Sequence, residues 1–228
     1  MGRGKIVMVK NMYTLQSTFT NTIDLRNILT EEVEGIITKT ELDIPKNEND
    51  NHLLISKGCI SERVKAIADD MLHDYIQSKK KNETIYLIQV LEGARPFAAD
   101  LALYMTKKIG PLILDHVTLK SYKDNISTGE IRIEKDCCDI RGKNVHIIED
   151  LVDTGRTMSW LVNYLLKEKG ANSVKICCLL DKRDARLPEF SNLKIDYTGF
   201  IIPNLYVFGY GMDTGNKMRE LKSIYYKK

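Results

Sequence analysis

Residues 144–158 read Asn-Val-His-Ile-Ile-Glu-Asp-Leu-Val-Asp-Thr-Gly-Arg-Thr-Met, and the fold is read outward from them. Val145, Ile147 and Ile148 form a short β-rich run, which breaks at Glu149 and Asp150 into a turn of small residues, Asp153-Thr154-Gly155-Arg156-Thr157. From 158 to 166 apolar residues recur at helical spacing. Strand, tight loop and helix N-terminus, in that order, is the arrangement with which parallel α/β sheets hold phosphate.

The side chains suit that chemistry. Backbone N–H groups of the loop and first helical turn, with the hydroxyls of Thr154 and Thr157, can surround a phosphate monoester. Gly155 lets the backbone come close. Glu149 and Asp150 are acceptor-only groups at the strand end, suited to ribose hydroxyls or to a hydrated magnesium ion. Asp153 is a third carboxylate, inside the phosphate loop, where anion binding gives it no purpose. A bare Asp-Thr-Gly is explained by turn formation and capping, whereas the whole run is far more specific.

The same unit recurs upstream. Residues 85–91 are a β-rich run ending in Leu91-Glu92-Gly93-Ala94-Arg95-Pro96, with a helix expected over 97–104. A second anion can sit in that loop, although an ordinary strand-to-helix turn explains it as well. Before it, residues 53–55 form a short strand, and Val64, Ile67, Ala68, Met71, Leu72 and Tyr75 predict a helix with Ser61 as N-cap. Residues 112–119 form the next strand. The polar stretch 120–130, from Lys120-Ser121-Tyr122 to Ser127-Thr128-Gly129-Glu130, has the composition of a mobile hairpin, with 131–133 as its returning strand.

Downstream, 173–180 is a continuous apolar strand ending in Asp181-Lys182-Arg183-Asp184. A shorter strand follows over 195–202, then a turn at Pro203-Asn204 and the aromatic-rich run 205–213. Strands alternating with helices predict an α/β fold, a mostly parallel twisted sheet flanked by helices on both faces, with ligands at the carboxyl ends of the strands.

Composition narrows the function classes. With 228 residues and 43% hydrophobic content, one substantial core is expected. A net charge of +3 without a long basic run gives no support to nucleic-acid binding. The five cysteines, Cys59, Cys137, Cys138, Cys177 and Cys178, fit neither a zinc spacing nor a disulfide framework, and Cys177 and Cys178 read as buried strand residues. Neither a signal-peptide pattern nor a spanning apolar run is present, so a cytoplasmic protein without membrane attachment is expected. No dinucleotide fingerprint or Walker sequence occurs.

Taken together, Leu91-Glu92-Gly93, Lys120-Ser121-Tyr122, residues 149–158, 179–183, and 206–213 with Arg219 resemble, in order, the motifs of hypoxanthine-guanine phosphoribosyltransferases, in the type I phosphoribosyltransferase family. The resemblance spans residues 53–226. It divides the chain into a poorly matched, partly flexible N-terminal segment, 1–51, and a single phosphoribosyltransferase domain, 52–228. Within that domain it implies a small hood at the purine site, formed largely by 195–228 with N-terminal residues, and a mobile lid hairpin.

The implied activity is transfer of a phosphoribosyl group from magnesium-bound phosphoribosyl pyrophosphate (PRPP) to N9 of hypoxanthine or guanine, giving IMP or GMP and pyrophosphate. The resemblance implies that Asp153, Thr154, Gly155, Arg156 and Thr157 hold the 5′-phosphate, that Glu149 and Asp150 bind the ribose hydroxyls, and that Asp153 is the catalytic proton acceptor at purine N7. Lys182 would donate to the 6-oxo group, Tyr206 would stack on the purine, Val207 would offer its backbone, and Asp213 would lie near the 2-position. Leu91, Glu92 and Gly93 would bind pyrophosphate through a loop with a non-proline cis peptide, helped by Arg219. Magnesium would lie near Glu149, Asp150 and Asp213, and Ser121 and Tyr122 would begin the lid. A homodimer or homotetramer is implied. Many family members carry Lys where this chain has Glu92, which keeps open a catalytically weak nucleotide-binding regulator; a change of base toward xanthine is a further alternative.

Overall fold

The computed structural model describes residues 22–26, 51–78, 83–121 and 131–227. Besides short 3-10 turns at Arg183–Ala185 and Pro188–Phe190, they form ten strands and three α-helices. In chain order these are β1 (Ile23–Asp24), β2 (Asn51–Ile55), α1 (Lys57–Gln77), β3 (Tyr86–Leu91), α2 (Arg95–Ile109), β4 (Ile113–Ser121), β5 (Ile131–Lys135), β6 (Asn144–Val152), α3 (Arg156–Lys167), β7 (Ser173–Asp181), β8 (Tyr197–Ile201), β9 (Tyr206–Phe208) and β10 (Ile224–Lys227). Seven strands form one sheet in the order β1-β8-β7-β6-β3-β4-β5. Every pairing in it is parallel except that of β4 with β5.

The quoted stretch lies at the centre of this sheet. β6 is flanked by β3 and β7, with Ile147 opposite Ile88 on one side and Ile176 on the other. Successive side chains of a strand point to opposite faces, so Ile147 and Ile148 enter different cores. Ile148 packs in the cluster with Ile60, Val64, Ile67 and Met71 of α1 and Phe97, Leu101 and Met105 of α2. Ile147 packs with Met158, Leu161 and Leu165 of α3. A parallel strand covered on both faces needs an apolar run rather than strict alternation, as in β6 and in β7, where Cys177 and Cys178 are both fully buried.

Several boundaries differ from the sequence reading. α1 begins at Lys57, one turn before Ser61, because Ser56 is the N-cap: its backbone is extended and its hydroxyl accepts from Cys59 N at 3.3 Å. Buried Ile60 thereby joins the apolar stripe. α2 begins at Arg95 with Pro96 in its first turn and continues to Ile109, where Gly110 at φ 83° ends it.

The stretch 195–228 is divided between two sheets. Tyr197–Ile201 is β8 of the large sheet, whereas β9 and β10 join β2 in a three-stranded antiparallel sheet ordered β2-β10-β9. Residues 22–26, from the N-terminal segment, supply β1 beside β8. The expected flexibility of the segment falls mainly on 1–21 and 27–50, outside the described residues. The lid expectation does so too: Ser121 ends β4 opposite Ile131 of the returning strand β5, but Tyr122 and the rest of 122–130 are not described. No helix of the described residues is long and apolar enough to cross a membrane.

Candidate active site

The loop after β6 turns at Gly155, whose φ of 88° is left-handed and which caps α3 without a side chain. Substitution there is doubly opposed, since an added Cβ would meet Arg186 Cδ at 2.8 Å and Phe190 Cβ at 3.0 Å. The segment following β7 lies against the loop. Lys182 N donates to Val152 O at 2.9 Å and Leu187 N donates to Thr154 O at 3.1 Å. These bonds bring the ends of two neighbouring parallel strands together. Lys182 is only 6% exposed, and its ammonium lies 3.5 Å from Asp153, whose carboxylate is 46% exposed. At that distance the two groups are a loose ion pair facing the same opening.

The turn carrying Lys182 is fixed by Asp181, which is 2% exposed. Asp181 accepts from Arg183 Nε at 3.0 Å and from Arg186 Nη2, so a buried carboxylate holds two arginines that follow within five residues. Outside, Arg26 joins β1 to the same turn through Asp184 at 2.9 Å.

Glu149 and Asp150, although adjacent, differ in setting. Glu149 is buried, and that burial, followed by the neighbouring Asp150 charge, pushes its carboxyl well above the usual range. Asp150 is partly exposed and its carboxylate occupies the space a Cβ on Gly93 would take. The loop after β3 therefore abuts the end of β6. Leu91–Glu92 is a non-proline cis peptide, as the family resemblance implies. On the other side of the loop, a Cβ on Gly211 would collide with Gly93 O and approach Pro96 Cδ to 2.8 Å. Glu92 itself turns to Arg95, with Oε2 and Nη2 2.7 Å apart.

The 209–213 loop completes the opening. Gly209, Tyr210 and Gly211 all have positive φ, at 92°, 48° and 99°. Tyr210 tolerates this conformation because its buried hydroxyl is anchored to Asp100 of α2 at 2.6 Å. Arg219 Nη1 donates to Gly211 O at 2.7 Å, and its Nη2 pairs with Asp213 Oδ1, also at 2.7 Å. Tyr206 is 53% exposed, outside the core, and its hydroxyl donates to Asp213 O at 3.3 Å. Val207 is buried beside it in β9.

Thus the loops at 91–95, 149–157, 182–187 and 206–219 meet at one end of the large sheet. Sequence reasoning named most of the polar residues at this end and missed the roles of Arg95, Asp100, Asp181 and Arg186. Glu92 and Arg95 stand three apart, a usual spacing for a pair across a helix start, whereas the Tyr210–Asp100 bond joins residues 110 positions apart and leaves no local signal. No group of three or more His, Cys, Asp or Glu side chains among the described residues forms a metal cage. Partly exposed Asp150 suits magnesium all the same, because that ion is commonly held by one or two carboxylates, water and substrate phosphates. Its contact with Gly93 sets it beside the loop that follows β3.

The family model described as a phosphoribosyl transferase domain matches residues 60–214. Hypoxanthine-guanine phosphoribosyltransferase of Bacillus subtilis is 36% identical over 175 residues, covering 75% of this chain and 90% of that protein. The bifunctional protein TilS/HprT of Listeria monocytogenes is 35% identical over 75% of this chain, and the match spans only 25% of that longer protein. A crystal structure of a hypoxanthine-guanine phosphoribosyltransferase from Bacillus anthracis superposes with a TM-score of 0.65 at 33% identity, covering 76% of this chain and 95% of that one.

Proposed function

The chain belongs to the phosphoribosyltransferase family, with hypoxanthine-guanine enzymes among its relatives, and from that premise we propose that it transfers the phosphoribosyl group of PRPP to N9 of hypoxanthine or guanine. The observation that carries the choice of base is the loose pair of Lys182 and Asp153 at 3.5 Å. The 6-oxo group and N7 are neighbours on one edge of a 6-oxopurine. An ammonium suits the first, which only accepts, and a carboxylate suits a protonated N7. Adenine offers an amino group in place of the oxo group and leaves a buried donor unpaired.

In this reading the amides and hydroxyls of Thr154, Gly155, Arg156 and Thr157 hold the 5′-phosphate at the start of α3. Glu149, which is buried, and the partly exposed Asp150 accept from the ribose hydroxyls. Tyr206 stacks on the purine, Val207 contributes its backbone and Asp213 lies near the 2-position. N9 bonds to C1′ as the bond from C1′ to the pyrophosphate oxygen breaks, and Asp153 takes the proton at N7. The Asp153 charge also stabilises the oxocarbenium-like ribosyl centre. Glu149, Asp150 and Asp213 are the side chains near which magnesium would be held, where it would neutralise the charge of the departing pyrophosphate. Leu91, Glu92, Gly93 and Arg219 form the pyrophosphate end, and Ser121 with Tyr122 opens the lid that excludes water. Hood, cytoplasmic location and assembly as a homodimer or homotetramer are carried by the family resemblance.

A spectrophotometric assay with PRPP and magnesium, offering hypoxanthine, guanine, xanthine and adenine separately, tests this. Turnover with the first two and none with adenine is expected. Turnover with adenine would sink the Lys182 role, and silence with every base while GMP still binds would favour the regulator.

A further inference from the structure

Arg95 is the first residue of α2, where a cation opposes the positive end of the helix dipole. Ala94 provides no side-chain cap, and the first turn holds no acid. Nothing in the helix itself therefore accounts for a guanidinium at this position. Its partner is Glu92, and the two side chains are 63% and 51% exposed. An ion pair so open to water is weak and exchanges readily. Glu92 belongs to the loop that is pressed between Asp150 and Gly211, and Arg219 is bonded to that same Gly211 at 2.7 Å. The pair thus stands where the pyrophosphate end of the substrate is assigned, at an uncapped helix N-terminus.

We propose that Arg95 is a pyrophosphate-binding cation of this enzyme and that Glu92 is its exchangeable counter-ion. The proposal rests on the transferase reading above. In the free protein Glu92 holds the guanidinium over the loop. When PRPP binds, the diphosphate displaces the carboxylate, and the planar fork of Arg95 takes two of its oxygens. A multiply charged diphosphate competes effectively with one solvated carboxylate, and a helix N-terminus without a side-chain cap adds to its advantage. Glu92 is then compatible with pyrophosphate binding because its charge is already matched by a residue three positions on.

The full chain is compared with Arg95→Gln and Glu92→Gln by calorimetric titration with magnesium pyrophosphate and with IMP, alongside steady-state kinetics. Arg95→Gln is expected to weaken pyrophosphate binding and raise the KM for PRPP about tenfold or more, the effect of losing a charge-assisted pair. The KM for the base and the affinity for IMP, which has no diphosphate, should stay as they are. Glu92→Gln should tighten pyrophosphate severalfold. Unchanged pyrophosphate affinity in either variant overturns the proposal, as does equal weakening of IMP and pyrophosphate in Arg95→Gln. Absence of turnover by the unmodified chain with every base overturns the transferase reading instead; the pyrophosphate titration needs no turnover and still decides the role of Arg95.

Discussion

The Asp150 carboxylate fills the space that a Cβ on Gly93 would occupy, so the ends of β3 and β6 meet through the absence of a side chain. This contact joins the loop assigned to pyrophosphate with the acid assigned to ribose and magnesium. Gly93→Ala must displace Asp150, while the sheet beneath keeps its pairings. The expected result is a KM for PRPP raised at least about tenfold, as for other misplaced binding groups, with thermal stability little changed. A variant with native KM would show that the carboxylate can move without consequence.

In the proposed reaction Asp153 has a different task from its neighbours in the loop assigned to the 5′-phosphate. Asp153→Asn retains the shape and the loop amides but cannot accept a proton. Turnover should fall about 10²–10⁴-fold, the usual contribution of a positioned acid or base. Binding of IMP or GMP should be largely retained, since the phosphate contacts are untouched. Parallel losses in turnover and in nucleotide affinity would assign Asp153 to binding alone.

Lys182 is nearly buried and faces Asp153, so its replacement tests base selection directly. The amide of Lys182→Gln can either donate or accept and no longer penalises the adenine amino group. The kcat/KM for hypoxanthine should fall about tenfold to a hundredfold, the range for losing a charged hydrogen bond. Discrimination against adenine should narrow at the same time. If the ratio between the two bases stays constant, the lysine does not read the 6-position.

What could be read in advance follows the range of the interactions involved. The β6–loop–α3 unit was legible because apolar strand, acids, Gly155 and apolar helix lie within a single run. The start of α1 was placed one turn late, since Ser56 and Ser61 are equally good caps by type and only the burial of Ile60 decides between them. β1 was not foreseen: it has two residues, and what makes it a strand is pairing with Phe200 and Ile201 far along the chain. Glu92 stands out by its own charge, and the matching charge of Arg95, three residues on, becomes visible only in the folded loop. Asp181 was seen only as part of a charged turn, and its hold on Arg183 and Arg186 depends on burial that sequence does not display.

His146 supplies a test of stability independent of catalysis. It lies in β6 between β3 and β7, and burial, reinforced by the charge of Lys175, lowers its pKa to about 4; Asp196, a hydrogen bond to the Tyr86 backbone and Asp74 only partly oppose this. Its ring packs 6.0 Å from that of Tyr197, and Nδ1 has no hydrogen-bond partner. In the unfolded chain the same group titrates near 6.5, so between about pH 6.5 and 4 the unfolded state binds the extra proton. Stability from this residue is therefore complete above pH 6.5 and is lost as pH falls toward 4. Lowering the pH from 7.5 to 5 should cost about 2 kcal/mol through His146 alone, by linkage between the two pKa values. Denaturant unfolding at both pH values, for the natural chain and for His146→Gln, measures that difference. The variant should lose correspondingly less stability on acidification, and identical losses in the two proteins would mean that His146 does not titrate across the unfolding transition.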